Sequence, residues 1–447
     1  MNKQPTRRDF VQSTAVAASG LACLGLGAGA ASATVSDKPA AVGGAPTHPG
    51  SWPEWPQWDE AWEPNILEVF RSGDWSTGGL TGPVGDFETT YANLLGAKGC
   101  VATASGTTAL LTALHTIGID AGDEVIVSPY TFIATYNAIL AHKALPVFAD
   151  TDPETLTLDP SSIESRITDR TRAIVPVHIF GMPCDMDPIN QVARKHDLLV
   201  VEDACQAWLA EYKGRKCGTL GSLGCFSFQN SKHLPSGEGG AVTGMDQRLL
   251  DQARSYHDCG RAYGTYEGKG FFSRGLNYRL THYQGMVLQQ QIAKLVTDTE
   301  HRRQNAARLL AGLAEIPGIE TIRLPRDSRA VWHLFPFRYN PEAFHGLTLV
   351  QFLRALRSEG IPCSEGYTEQ YFDGLLDETI SSRGFTRLYS AERLKAYRDS
   401  LDDLKGNRAT CESTVTLSQR LLLGSQKDIE DIVEAIQRIQ THSNELV

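Results

Sequence analysis

Apolar positions along the chain fall into two rhythms. From about residue 86 to 297, short and almost wholly apolar runs alternate with longer stretches in which apolar residues recur every three or four positions. The runs at 100–104, 124–127, 146–148, 172–177 and 198–202 predict strands, and the stretches at 88–95, 107–117, 131–141 and 186–196 predict helices. Strands without polar alternation are buried on both faces, so the pattern predicts an α/β architecture with a mostly parallel sheet. After 298 the helical rhythm dominates. Helices are expected at 302–313, 350–359 and 429–440, with a short strand at 334–339. This gives a large domain over 64–297 and a smaller α+β domain over 298–447. The stretch 371–408, rich in Arg, Asp and Ser, reads as an insertion or lid in the smaller one.

Residues 34–63 fit neither rhythm. They form a linker and an arm carrying Trp52, Trp55, Trp58 and Trp62, with Pro53 and Pro56 between them. Proline excludes a regular helix at its start, and the indoles need a surface, either the body of the protein or a partner subunit. A short helix is expected at 64–70. The first 33 residues have their own pattern. Arg7-Arg8 precede an apolar, Gly- and Ala-rich run from about 15 to 31, and Ala31-Ser32-Ala33 follows. The run is too short for a membrane span. The segment resembles a twin-arginine export signal cleaved after Ala33, which would place residues 34–447 outside the cytoplasm, in the periplasm or its equivalent.

Composition narrows the function. Hydrophobic residues make up 41% and charged residues 21%, which excludes a disordered chain. With 42 basic against 52 acidic residues and no basic run, nothing offers to neutralise nucleic-acid phosphates. None of the nine cysteines forms a CxxC pair, so neither a zinc site nor a thioredoxin-like site is indicated.

Three segments carry chemistry, each at the carboxyl end of a strand, where open α/β sheets bind ligands. In Thr103-Ala104-Ser105-Gly106-Thr107-Thr108 a strand ends and a helix begins at Thr107. Free N–H groups there suit a phosphate, or Ser105 or Thr107 simply caps the helix. In Val200-Val201-Glu202-Asp203-Ala204-Cys205-Gln206 a buried strand ends in two acids. A buried carboxylate needs a partner, such as a protonated heteroaromatic nitrogen, unless it caps the next turn. In Ser227-Phe228-Gln229-Asn230-Ser231-Lys232, followed by Gly237-Glu238-Gly239-Gly240, a lysine stands between an apolar strand and a glycine-rich loop. Apolar surroundings lower an amine's pKa, as a Schiff-base lysine requires.

In this order and spacing the three segments resemble the DegT/DnrJ/StrS aminotransferases, over nearly all of the chain from Trp52 onward. The resemblance implies an aspartate-aminotransferase-like fold, pyridoxal 5'-phosphate as cofactor, and transfer of an amino group from glutamate or glutamine to a keto-sugar or keto-cyclitol in two half-reactions. It implies that Lys232 forms the Schiff base and shuttles the proton, and that Asp203 holds the pyridine nitrogen protonated. Ser105, Gly106, Thr107 and Ser227 would bind the phosphate, Gln206 would lie near the ring, and Phe132 would stack on it, with Tyr130 competing for that role. Asn277 would reach the phosphate of a neighbouring subunit, making the protein a homodimer with shared sites. His178 fits a family motif, but as a lone histidine it reads as structural. Where the family commonly has His and Gly, this chain has Trp208 and Leu209, which is expected to reshape the substrate side of the pocket. A dehydratase or lyase of the same family, or a non-catalytic regulator, are the rival readings. Retention of Lys232 counts against both.

Overall fold

A strand such as β2 (Glu124–Val127), buried at all its positions, has no face to give to water and must lie in a sheet covered on both sides. The computed structural model, which describes residues 38–77, 81–268 and 270–447, contains that sheet. The export signal read at 1–33 lies outside the described residues. The strands are β1 (Gly99–Thr103), β2, β3 (Leu145–Phe148), β4 (Thr171–Val175) and β5 (Leu199–Asp203). A small hairpin of β6 (Glu211–Tyr212) and β7 (Arg215–Lys216) leads on to β8 (Leu223–Ser227) and β9 (Gly240–Gly244). The seven main strands are ordered β1-β9-β8-β5-β4-β2-β3. From β8 to β3 neighbours are parallel, while β9 runs antiparallel between β8 and β1.

Pairing registers align the strand ends. Gly240 of β9 stands opposite both Thr103 of β1 and Ser227 of β8, and Asp203 of β5 pairs with Cys225 of β8. The three segments singled out in the sequence therefore finish side by side. A Cβ on Gly240 would lie 2.3 Å from the Ser105 carbonyl oxygen, so glycine is required for that approach.

A helix of 32 residues, His282–Leu313, runs across the boundary expected at 297. Only its second half was legible, because Gly285 and the Gln-rich stretch after it weaken the apolar rhythm. Thr281 and Gln284 form a capping box that starts it. Gly285 lets it press onto the helix Gly82–Leu95, where a Cβ would meet Val84 at 2.8 Å. Beyond it, β10 (Ile319–Thr321), β12 (Leu334–Tyr339), β13 (Cys363–Glu365) and β14 (Thr414–Ser418) form an antiparallel sheet in the order β10-β12-β14-β13. The short β11 (Ser328–Arg329) instead joins the β6–β7 hairpin.

The stretch 371–408 is not a lid on this smaller sheet. Tyr371, Leu376, Phe385, Tyr389 and Tyr397 belong to the same apolar cluster as Val125, Val127 and Phe148 of the large sheet. Arg393 Nε pairs with the buried Glu124 at 2.6 Å, and the Tyr389 hydroxyl donates to the Asp123 carbonyl at 2.6 Å. The charged residues that suggest a loose insertion cover the outer side of short helices whose aromatic side is buried.

The Trp/Pro arm is tied to the body. Glu359 is fully buried, and its carboxylate accepts the N–H groups of Ala40 (2.8 Å) and Thr47 (2.9 Å) and the Thr47 hydroxyl (3.2 Å), with Arg438 at 3.3 Å. Trp52 stacks on His48 and donates to the Gly360 carbonyl at 2.8 Å. Trp62 is buried, whereas Trp58 stays exposed. The eight cysteines among the described residues are free, and no described helix is long and apolar enough to cross a membrane.

Removing a buried carboxylate leaves the N–H and O–H groups it accepts without a partner. Glu359→Ala is expected to lower stability by roughly 3 kcal/mol in urea unfolding and to open residues 38–52 to limited proteolysis. An unchanged midpoint with a protected arm would show that the indoles, not Glu359, hold it.

Candidate active site

Each strand end supplies one part of the site. At the end of β1, the Ser105 hydroxyl accepts the Thr108 N–H at 3.1 Å, and the Thr108 hydroxyl accepts the Ser105 N–H at 2.8 Å. Ser105 thus caps the helix Gly106–Thr116. The N–H groups of Gly106 and Thr107 remain without a protein acceptor among the described residues, at the positive end of a helix dipole. A Cβ on Gly106 would stand 2.7 Å from Ser227 Cβ and 3.1 Å from Cys205 Sγ. The turn is therefore a cradle of free N–H groups and the Ser227 hydroxyl that no larger residue could form, and it suits a phosphate.

Strand alternation separates the two acids of β5. Glu202 faces away from the cleft. Its fully buried carboxylate accepts the N–H groups of Gly218, Leu220 and Gly221 at 2.6–2.7 Å and pairs with His178 Nε2 at 2.9 Å. His178 Nδ1 accepts the Cys184 N–H at 3.0 Å, so both of its nitrogens are used structurally. Asp203 faces the cleft. Its carboxylate accepts the Thr135 hydroxyl at 2.7 Å and the Cys205 N–H at 3.1 Å, which fixes its plane while leaving it beside the cavity.

After β8 the chain makes a turn in which the Lys232 N–H reaches the Gln229 carbonyl at 2.9 Å. Trp55 of the arm donates its indole N–H to the Lys232 carbonyl at 3.2 Å. The lysine is half-buried, with Nζ 3.4 Å from His333 Nε2 and 5.9 Å from the centre of the Trp208 ring. Burial pulls the amine pKa below its ordinary value, against the opposing pull of Cys205 and Asp203. His333 is pushed well below its usual range by burial and by the positive charges of Lys232 and Arg302, so it stays neutral and can accept from the amine.

These parts border one cavity of about 670 Å³. Eight residues singled out in the sequence, Ser105, Gly106, Thr107, Phe132, Asp203, Gln206, Ser227 and Lys232, line the cavity. Phe132 is 55% exposed and lines it, whereas Tyr130 is fully buried against Phe180 and Tyr367, so of the two aromatics only Phe132 borders the cavity. The Gln206 amide bridges the Phe180 N–H (2.8 Å) and the Tyr367 hydroxyl (3.1 Å), so it fastens the wall. Asn277 is apart from the others, exposed and not among the residues lining the cavity. Trp208, expected to reshape the substrate side, is fully buried and does not itself line the cavity; it donates to the Ser227 carbonyl at 3.1 Å and packs edge-on against His333, which does line it. Thr135, His333, Tyr367 and Gln419 also line the cavity and were not read from sequence. Thr135 follows Thr131 by one helical turn, a spacing that was available. The other three come from the C-terminal region, whose register against the lysine loop leaves no local signal.

Comparison with known proteins agrees with this geometry. The model of the DegT/DnrJ/EryC1/StrS aminotransferase family matches residues 56–408. The L-glutamine:2-deoxy-scyllo-inosose aminotransferase of Streptomyces fradiae is 33% identical over 436 residues, covering 91% of this chain and 98% of that one. Its namesake from Streptoalloteichus tenebrarius is 32% identical over 423 residues, covering 90% and 97%. Among solved structures, an aminotransferase from Psychrobacter cryohalolentis superposes with a TM-score of 0.74 at 30% identity, covering 89% of this chain and 100% of that one. 3-Amino-5-hydroxybenzoic acid synthase gives 0.73 at 28%, covering 88% and 99%.

Overpacking the Gly106 turn by one methyl costs about 1–3 kcal/mol, and each 1.4 kcal/mol is tenfold in affinity. Gly106→Ala is expected to weaken binding of a phosphate-bearing ligand about tenfold or more in equilibrium dialysis, with the circular dichroism unchanged. Wild-type affinity in the variant would show that the phosphate sits elsewhere.

Proposed function

Because the chain belongs to the DegT/DnrJ/EryC1/StrS aminotransferase family, and is thus a pyridoxal-phosphate-dependent transaminase, we propose that it moves the amino group of L-glutamine to a free keto-cyclitol at Lys232. The observation that carries the choice of acceptor is the charge of the cavity lining. Among the described residues lining it, Lys232 is the only cation, since His333 is neutral. The remaining polar lining is hydroxyl and amide groups, including Ser231, Tyr367 and Gln229, with the carboxylates of Asp203 and Glu238. Hydroxyls and amides suit a polyol ring. A nucleotide diphosphate would bring two negative charges to a wall with no second cation.

Bound pyridoxal phosphate supplies a carbonyl that takes up the amino group and a ring that stores an electron pair. The residues have the following roles in this reading. Gly106, Thr107 and Ser227 hold the phosphate. Asp203, oriented by Thr135, keeps the ring nitrogen protonated. Phe132 covers one face of the ring. Lys232 Nζ holds the cofactor between turnovers, then takes the proton from the donor's α-carbon and returns it, as base and then acid. Its lowered pKa keeps a larger share of the amine neutral at a given pH, which favours the first of these steps.

We further propose a homodimer in which Asn277 of each subunit serves the other's phosphate. Support comes from its exposed position, apart from the residues lining the cavity. Export by the twin-arginine route rests on Arg7, Arg8 and the Ala31-Ser32-Ala33 sequence.

Three outcomes follow. The purified protein should aminate 2-deoxy-scyllo-inosose from L-glutamine labelled in its α-amino group, and leave a nucleotide-linked 4-keto-sugar unlabelled; labelling of only the latter would reverse the acceptor assignment. Lys232→Ala and Asn277→Ala subunits mixed in equal amounts should regain about a quarter of wild-type activity, because about half of the dimers then carry one intact site of two; an active monomer would end the shared-site reading. A reporter joined to residues 1–40 should be exported, and should stay in the cytoplasm when Arg7 and Arg8 are both changed to Lys; a wild-type fusion left uncleaved inside the cell would refute export.

A further inference from the structure

Arg302 is a buried cation without a carboxylate within ion-pair distance among the described residues. Its side chain is fully enclosed, its guanidinium lies 5.1 Å from the Trp55 ring, and both terminal nitrogens lack a hydrogen-bond partner. Burial pushes its pKa down to about 10, so it remains charged at neutral pH. An enclosed charge of this kind is costly unless something answers it.

Its single hydrogen bond indicates where the answer comes from. Arg302 Nε donates to Gln419 Oε1 at 2.8 Å. A guanidinium only donates, so the Gln419 amide must turn its oxygen to Arg302 and its NH2 group the other way. Gln419 is itself 2% exposed and lines the active-site cavity, and its NH2 group has no protein acceptor among the described residues. The pairing of Leu334 with Ser418 between β12 and β14 sets His333 and Gln419 side by side at the same end of that sheet. His333 Nε2 is 3.4 Å from Lys232 Nζ. An oriented NH2 donor, backed by a positive charge that the Asp298 carboxylate answers only from a distance and without a hydrogen bond, therefore borders the same cavity as the amine that moves the α-proton.

We propose that this end of the cavity is the carboxylate subsite of the amino donor, in which the Gln419 NH2 group, held in orientation by Arg302, donates to the α-carboxylate of an α-amino acid. Ser418 also lines the cavity, and the charge of Arg302 adds attraction across one amide in a poorly screened interior. A carboxylate seated there places its α-carbon, one bond away, toward Lys232. This rests on the aminotransferase reading above, and it assigns Gln419 as a substrate-binding residue and Arg302 as a positioning residue.

The test uses the cofactor-loaded protein with Gln419→Leu and Gln419→Glu. Affinity for L-glutamine is read from the change in cofactor absorbance, and affinity for glutarate, which carries carboxylates but no amine to transfer, from calorimetry. Both variants should lose about tenfold to a hundredfold for both ligands, the worth of a hydrogen bond to a charged group, while KM for the acceptor changes less than twofold. In Gln419→Glu the new carboxylate answers Arg302 itself, so the thermal midpoint should hold or rise while donor affinity falls. A merely structural Gln419 would not give that opposition. Wild-type affinity for glutarate in both variants, or loss of acceptor rather than donor affinity, would overturn the proposal. If the wild-type protein shows no absorbance change with any amino acid, the aminotransferase reading fails, and the glutarate titration still reports on the subsite separately.

Discussion

Three strand ends and their loops meet at one point because Gly240 has no side chain. Placed between Thr103 and Ser227 in the sheet, it lets the Ser105 carbonyl come within a distance that any Cβ would forbid. Gly106 repeats the device one layer out, against Ser227 and Cys205. The phosphate cradle, the acid of β5 and the lysine after β8 are all placed by this contact. It also explains why a glycine-rich loop follows the lysine in this chain. The loop leads into β9, the antiparallel strand that brings the chain back between β8 and β1. Tight backbone approach of this kind is a steric requirement, and no gain in burial elsewhere replaces it.

Charge is then distributed by enclosure. Glu202 and Asp203 are neighbours in sequence, yet Glu202 is spent on three backbone N–H groups and His178, while Asp203 keeps its carboxylate beside the cleft. Lys232 is held among Trp208 and a neutral His333, which keeps its amine easier to deprotonate than an exposed lysine. The smaller sheet contributes the opposite wall through His333 and Gln419. The arm closes the arrangement from outside, since Trp55 holds the Lys232 carbonyl with its N–H and lays its ring over Arg302.

Much of this was legible in the sequence where the signal is local. The parallel strands could be read because each is a short apolar run with no polar alternation, and the strand-end residues because acids, hydroxyls and a lysine interrupt such runs abruptly. What escaped was set by tertiary contact. Helix His282–Leu313 hid its first half behind a glycine whose purpose is to touch Val84. The stretch 371–408 concealed an aromatic face under surface charge and packs on a sheet more than two hundred residues earlier in the chain. Trp208 is buried with its indole N–H on the Ser227 carbonyl and meets the cavity wall only through His333, a contact no local signal announces. His333 and Gln419 carry no motif, and only the folding of β12 and β14 beside the lysine loop brings them there.

The most direct measurement of the central claim, that Lys232 is the residue carrying the cofactor, is borohydride reduction of the pyridoxal-phosphate-loaded protein followed by peptide mass spectrometry. The account predicts a single covalent adduct, confined to the peptide containing Lys232, and its loss in Lys232→Ala even when that variant still retains the cofactor. An adduct on another lysine, or none on a protein that is fully loaded, would contradict it.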